Sequence, residues 1–562
     1  MAECVPPSAA ELTRQLEAYS ASRGHPSELV QLLRAPRLGL RSTPAFRSTD
    51  EPLLASLSTY PGLTRVPLNS LTYGAHAPFW PALASAWQVD AHRLSRDDGD
   101  DDHEDSIPAI LALAAFLLSL CTQEPHNQQQ AVTYIEPSLR KVLLVASSLF
   151  NLEDSAYTDM TRVCCQALAN LVTDNQPLAS SFFPQRLDLE LDDNLIQRLL
   201  ASPDHGTLQA VLIFLLNSIH GSRERALLLG TGKAGAAILD RLMTIVSVLF
   251  EDETAEGIAS EEFHSDIFQL SFAIVQQLIE LEAFAPAYEE HALMPGFATS
   301  PTLVTLLKFL DGHLSSSPPR ARTPAALSLA GFLARQLAHL GAWLVDEGEG
   351  AQRVRNAADA AAVQGVVLVL HCLCSVGMAL EERGGEGEGE SGGEEEEEKA
   401  REEMAEGVEA AVRLLRFSTT LLPPPSARPP PPSSSSSPTP NPPTPSPSQE
   451  ATPALAQLQR TLVQFLAVVS FSPPLTVARP APSPRVRRAQ DRVRELGGLE
   501  VLLSLCQMDE RNTTMREHAL FALRNLLKSN QASQDYVDAM RPQYRVGEGG
   551  ELLDLPPPLR KE

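Results

Sequence analysis

Two distant stretches of this 562-residue chain share one wording: Ala167-Leu168-Ala169-Asn170-Leu171 precedes Asn175-Gln176, and Ala522-Leu523-Arg524-Asn525-Leu526 precedes Asn530-Gln531 with identical spacing. Phe214-Leu215-Leu216-Asn217-Ser218-Ile219 is a weaker third copy, and Phe465-Leu466-Ala467-Val468-Val469 a fourth with valine at the asparagine position. A helical unit repeated along a chain cannot bury its faces alone and has to stack on its neighbours, so the repeat predicts an all-α helical solenoid.

The clearest copy is Gln490 to Pro542. Its first helix is expected to end at Gly497-Gly498, since glycine accepts the left-handed C-terminal position without a Cβ penalty. A second helix places Leu499, Leu502, Leu503 and Cys506 on one face. After the polar break Asp509 to Asn512, Thr514 and Glu517 have capping-box spacing. The third helix is apolar nearly all round (Met515, Ala519, Leu520, Phe521, Ala522, Leu523, Leu526, Leu527), as a helix held between two neighbours requires. Glu517, His518, Asn525 and Lys528 form its polar stripe, with Arg524 beside it. Three helices in this order read as one armadillo-type unit.

Composition agrees. Aromatics are 5 % and the apolar positions are mostly Leu, Ala and Val, which suits stacked helices better than β-sandwiches. The formal net charge of −25 is concentrated: Glu381 to Glu409 holds fourteen Glu against Arg383, Lys399 and Arg401. Such a run predicts a solvated, disordered insert rather than a site for a basic partner, and overall acidity argues against nucleic-acid binding. Seven cysteines without repeated spacing lie mostly in apolar helical patterns and behave there as small hydrophobes, so a reducing cytoplasmic setting is expected. No secretory leader is visible. The apolar runs Ile107 to Cys121 and Val366 to Leu380 fall short of a membrane span, so a soluble chain without membrane partners is expected.

In order, residues 1–105 predict a partly ordered region with a helix at Ser8 to Ala21, and 106–380 an armadillo-like solenoid. Residues 381–401 are the acidic Gly/Glu insert and 402–422 one helix. Residues 423–450 form a Pro/Ser-rich linker, where Ser437, Thr439, Thr444 and Ser446 each precede proline, an arrangement open to phosphorylation. The C-terminal domain covers 451–542 and a polar tail 543–562.

Several motifs lose to plainer readings. Gly230-Thr231-Gly232-Lys233-Ala234-Gly235 has the G-x-G-x-x-G form, but the apolar segment before it is short and reads as a helix end, so an inter-helix loop is expected and an NAD-binding enzyme is the remote alternative. Asp252 to Phe263 has Phe263 where a calcium loop needs a bidentate Glu. Cys372 and Cys374, beside His371, point to different sides of a helix and lack a second pair for zinc. No nucleophile elbow or P-loop is present. The chain is read as non-enzymatic, with no cofactor, metal or catalytic residue.

The wording from Gln490 to Pro542 is itself distinctive. Gln490-Asp491, Val493-Arg494-Glu495-Leu496-Gly497-Gly498, Arg516-Glu517-His518-Ala519, Arg524-Asn525-Leu526 and Asn530-Gln531 resemble the C-terminal domain of the ataxin-10 family over about residues 455–542, with a weaker repeat-level likeness at about 140–220, and suggest a fungal-type member. Asn512-Thr513 departs from the Asn-Pro usual in that family. The resemblance implies a cytoplasmic interaction scaffold that takes part in cytokinesis and cell division. Two roles stay open for Asn170, Asn217 and Asn525 together with Glu517, His518, Arg524 and Lys528: ties between repeats, or a groove for protein partners. In peptide-carrying armadillo adaptors an equivalent Asn grips an extended peptide beside a Trp one turn earlier; here that Trp position holds Gln166 or Phe521. A linear-peptide transport adaptor is the alternative function. Partner identity and oligomeric state are open.

Overall fold

The computed structural model describes residues 8–22, 24–39, 75–95, 102–252, 261–293, 300–316, 321, 323–345, 360–383, 393–421, 452–472, 483–507, 512–540, 544–546 and 552–554. The 423–450 linker, its Ser/Thr-Pro positions and most of Asp252 to Phe263 lie outside them. The chain divides into two compact units, Met1–His291 and Ala292–Glu562.

The first unit contains α1 (Ala9–Ser22), α2 (Pro26–Gly39), α3 (Phe79–Leu94), α4 (Asp102–Cys121), α5 (Pro125–Tyr134), α6 (Glu136–Ala146), α7 (Ser155–Val172), α8 (Gln176–Arg186), α9 (His205–Ile219), α10 (Arg223–Gly230), α11 (Lys233–Asp252) and α12 (Glu261–Glu280). Helices α2, α4, α7, α9 and α12 each pack on the next, like rungs. The sequence explains where they start: Asp154, Asn175, Asp204 and Ser222 each cap a following helix by accepting a backbone N–H, and α5 and α8 carry proline in the first turn, where no N–H is needed. Rung α9 is buried on most of its circumference, and its Phe214 ring stands edge-on to Phe182 and Phe183 of α8 at 6.3 Å. At the N-terminal end, the Tyr19 hydroxyl donates to both carboxylate oxygens of Asp90 at 3.0 Å and Arg93 donates to the Gly24 carbonyl at 2.9 Å, fastening α1 to α3.

The second unit contains α13 (Pro301–Leu314), α14 (Leu329–Val345), α15 (Ala360–Arg383), α16 (Gly393–Glu406), α17 (Val408–Leu421), α18 (Thr452–Val469), α19 (Pro484–Glu495), α20 (Gly498–Ser504), α21 (Met515–Leu527) and α22 (Gln531–Ala539). Here α13, α15, α18 and α21 are the successive rungs, and α14, α16, α17, α19 and α20 form a second row beside them. Each unit is thus an armadillo-like stack of helices, and the fold class is all-α apart from two short strands near the C-terminal end. Helix α15 extends beyond the apolar run legible in sequence: Ala361–Glu381 is long and apolar enough to cross a membrane, but 72 % of its most apolar window is buried inside the protein. The Pro-rich linker separates no units, since α17 before it packs on α18 after it.

The acidic insert differs from its sequence expectation. Residues 393–406 form α16, which buries Ala400 and Met404. Glu403 accepts the Gly331 N–H in the first turn of α14 at 3.0 Å, where the helix dipole favours a carboxylate. Arg401 pairs with Glu397, Glu398 and Glu381. Part of the charge also meets Arg-rich α19: Arg485 lies 3.8 Å from Glu398, Arg488 lies 3.1 Å from Glu402, and Arg492 pairs with Glu409 at the start of α17. Much of the basic complement of this acidic segment is therefore the chain's own helix, brought to it by folding.

Residues expected to be tail also differ. Tyr544–Val546 and Leu552–Asp554 pair as two antiparallel strands, with Arg545 opposite Leu553.

Candidate functional site

The two best sequence copies build one hydrogen-bond network twice. In the first, the Gln128 side-chain amide, fully buried on α5, donates to the main-chain carbonyls of Asn170 and Thr173, both at 2.9 Å. Asn175 returns a bond from its own amide to Gln128 Oε1 at 2.8 Å while its Oδ1 caps α8 at the Leu178 N–H. Asn170, 1 % exposed, donates from Nδ2 to the Leu118 carbonyl at 2.8 Å and to Thr122 Oγ1 at 2.9 Å, both at the end of the preceding rung, α4.

The second copy repeats this wiring except for the hydroxyl bond that Asn170 makes to Thr122. Gln490 on α19 donates to the carbonyls of Asn525 at 2.8 Å and Lys528 at 3.2 Å. Asn530 donates to Gln490 Oε1 at 3.1 Å, and its Oδ1 accepts the Ser533 N–H at the start of α22. Asn525, 4 % exposed, donates to the Ala467 carbonyl of α18 at 2.9 Å. Even the backbone agrees: Asp174 and Ser529, each just before the capping Asn, both take φ +55°, a left-handed turn that Asp tolerates better than most residues. A buried amide is costly unless all its groups are paired, and here one glutamine satisfies the otherwise open carbonyls of a helix C-terminus.

Asn217 follows in part. It is half-buried, and its Nδ2 donates to Thr173 Oγ1 at 2.8 Å, tying α9 back to the end of α7. The three asparagines therefore do not present free amides along one groove; each is engaged with the rung before it. His518 is partly buried beside Gln464, and burial, with the Arg460 charge, holds its imidazole below the usual pKa. Lys528 donates to the Ser472 carbonyl at 2.6 Å, whereas Glu517 and Arg524 are exposed.

Two local expectations are corrected. Thr514 sits in helical backbone (φ −93°, ψ −8°) and its side chain makes no cap bond, so the Thr514/Glu517 capping box is absent; the helix is entered instead through a turn in which the Met515 N–H donates to the Asn512 carbonyl. Asn512 donates to the Ala456 carbonyl. Helix α21 is also not enclosed all round, because Leu520 and Phe521 are 49 % and 45 % exposed. At the glycine turn, Gly497 takes φ +74°, and a Cβ on Gly498 would stand 2.7 Å from Val493 Cγ1.

The Gly230–Gly235 motif has no strand before it: Leu227, Leu228 and Leu229 belong to α10. Gly235 is required by packing, since a Cβ there would lie 2.3 Å from the Leu228 carbonyl oxygen, and Gly232 has φ +81°. These glycines make the elbow between α10 and α11, not a phosphate cradle, and the NAD reading falls with them. Cys372 and Cys374 are both buried, and no group of three metal-ligating side chains is assembled among the described residues.

The sequence reading missed the glutamines as network centres and the 89–91 % exposed Leu149 and Phe150 at the turn after α6. In sequence Gln490 stands only within the family wording, and Gln128, far from Asn170, carries no local signal.

Residues 485–554 match the family described as the spinocerebellar ataxia type 10 protein domain. The match covers α19 to α22 and both strands, beginning later than the resemblance read from sequence and running past it. The Ataxin-10 homolog of Dictyostelium discoideum is 38 % identical over 69 residues, 12 % of this chain and 11 % of that protein. The Ataxin-10 homolog of Saccharomyces cerevisiae is 43 % identical over 54 residues, 10 % of each. The matched stretch thus spans about a tenth of the length of these curated relatives. Because an amoeba and a yeast both match, the likeness holds at the level of the family and not of a fungal subtype. Among solved structures, the crystal complex of SYS-1/POP-1 aligns over 91 % of this chain and 72 % of that one with a TM-score of 0.34 and 11 % identity, too slight a likeness to carry an argument.

Proposed function

We propose that this chain is a non-enzymatic, cytoplasmic protein-interaction scaffold of the ataxin-10 kind. The observation that carries the reading is the pairing of an ataxin-10-like C-terminal repeat with a rung ladder whose buried polar groups are consumed in holding repeats together. Such a solenoid offers surface rather than a chemical centre, and long surfaces built from stacked repeats are used to bind proteins. A role in cytokinesis and cell division is part of the proposal and rests on the family resemblance. The linear-peptide adaptor is less favoured, because the amides of Asn170 and Asn525 already donate to backbone of the preceding rung.

The test is affinity purification of the tagged full-length chain from dividing and resting cells, with imaging of its position. Stoichiometric protein partners and a cell-division defect on depletion are the expected results. A chain recovered alone in both states would overturn the scaffold reading, and normal division after depletion would remove the cytokinesis role.

A further inference from the structure

The two copies of the network differ in what lies on the outer side of their rung. On α7, Thr161, Cys165 and Ala169 are buried, α9 packs alongside, and Arg162 pairs with Asp204, the N-cap of α9, at 2.7 Å. Counting from the shared asparagine, the residues of α21 at the places of Thr161, Cys165 and Ala169 are Arg516, Leu520 and Arg524. All three are exposed, as is neighbouring Phe521. Among the described residues no helix covers this face of α21, the face that the next rung covers on α7, and its apolar centre lies between two arginines. Among the described residues no carboxylate is paired with Arg516 or Arg524.

We infer that this face of α21 docks an amphipathic helix of a partner protein whose apolar seam is flanked by acidic residues, seated as α9 sits on α7. The inference rests on the scaffold reading and names its surface and partner chemistry. Continuity with the α7–α9 packing argues for a helix rather than an extended strand, and Arg516 and Arg524 select acidic flanks. A helix running as α9 does would bring its N-terminus to the place of Arg162, which here is Glu517. The positive end of the helix dipole would meet that carboxylate.

The probe is a fluorescein-labelled helical peptide with leucines at i, i+3, i+4 and i+7 and glutamates on both flanks, titrated by anisotropy against the full chain. A second peptide carries lysines in place of the glutamates. The expected outcome is saturable binding of the acidic peptide and weaker binding of the basic one. Leu520→Asp should lose about tenfold in affinity, as truncating a central apolar anchor does. Arg524→Glu should narrow or invert the preference between the peptides. Both side chains are exposed, so an unchanged melting temperature shows that the variants fold. Equal binding of both peptides, no binding at up to millimolar peptide, or full binding by Leu520→Asp would overturn the inference. So would self-association of the wild type that Leu520→Asp abolishes, because the occupant would then be a second copy. Cellular partners that still co-purify with Leu520→Asp would exclude this face and leave the scaffold reading standing.

Discussion

The Gln490 side-chain amide donates to the main-chain carbonyl of Asn525 at 2.8 Å, locking the end of rung α21 to the first helix of its own repeat. Gln490 is fully buried and its Oε1 is engaged by Asn530, so its removal takes the side-chain donor from the Asn525 and Lys528 carbonyls and leaves the Asn530 amide with Asp491 as its remaining acceptor. Gln490→Ala should cost about 1–3 kcal/mol of stability, the usual penalty for orphaned buried polar groups. Gln128→Ala should do the same in the first unit. Urea denaturation measures both, and a cost near zero for either would show that water replaces the network.

Asn525→Ala should destabilise by a similar amount, because the Ala467 carbonyl loses a buried donor. Asn217→Ala, at a half-buried site with a threonine hydroxyl as partner, should cost less, about 0.5–1.5 kcal/mol, the net worth of an ordinary hydrogen bond. Equal melting temperatures for Asn525→Ala and the wild type, with a lost protein partner, would show that this asparagine serves binding and not the repeat.

Arg488 and Arg492 meet Glu402 and Glu409 on the acidic helices. Reversing both arginines to glutamate should increase proteolysis near α16 and lower the thermal midpoint modestly, since exposed ion pairs contribute little each. Reversing Glu402 and Glu409 to lysine in the same chain should restore it. Failure of that rescue would mean that these two pairs do not hold α16, leaving the task to Ala400, Met404 and the Glu403–Gly331 bond.

Burial pushes the Asp204 carboxyl up, but bonds from the Arg162 guanidinium and from the Thr207 hydroxyl and N–H outweigh it, so the group sits below its ordinary value of 3.8. A carboxyl depressed in the folded state contributes stability that is fully present above the unfolded pKa and is lost as pH falls through the folded one. Asp204→Asn keeps a competent helix cap while removing the charge. The stability gap between wild type and Asp204→Asn should therefore be constant from pH 7 to about 5 and close below about pH 4. Denaturation at stepped pH checks this, and a gap that widens in acid would reverse the assignment.

Cys121, Cys164, Cys165, Cys372 and Cys374 are buried, and burial raises every one of these thiols, Cys374 to about 12. Only the thiolate reacts readily, so none should label with a maleimide in the native state. Cys506, which is partly exposed, should label first among these six. Labelling of Cys164 ahead of Cys506 would mean that α7 opens locally.

The class of fold was legible because helical periodicity and a repeated word are local properties of the chain. The Gly497 turn was legible for the same reason, since its φ of +74° is a demand that glycine meets without neighbours. Local rules failed at Thr514, where capping-box spacing is present but the Asn512 turn sets the backbone, and at the acidic run, whose composition reads as solvated until Arg485, Arg488 and Arg492 are brought to it.

The sequence by itself determined that this chain stacks helical repeats and that Asn170 and Asn525 occupy equivalent places in them. Only the tertiary structure decided which groups those asparagines bond. Their partners, Leu118 with Gln128 and Ala467 with Gln490, lie tens of residues away, and a hydrogen bond depends on distances of about 3 Å that no spacing along the chain encodes. The same holds for α21: its near-uniform apolar pattern is that of a buried rung, but whether Leu520 and Phe521 are covered depends on whether another helix follows, and among the described residues none covers them.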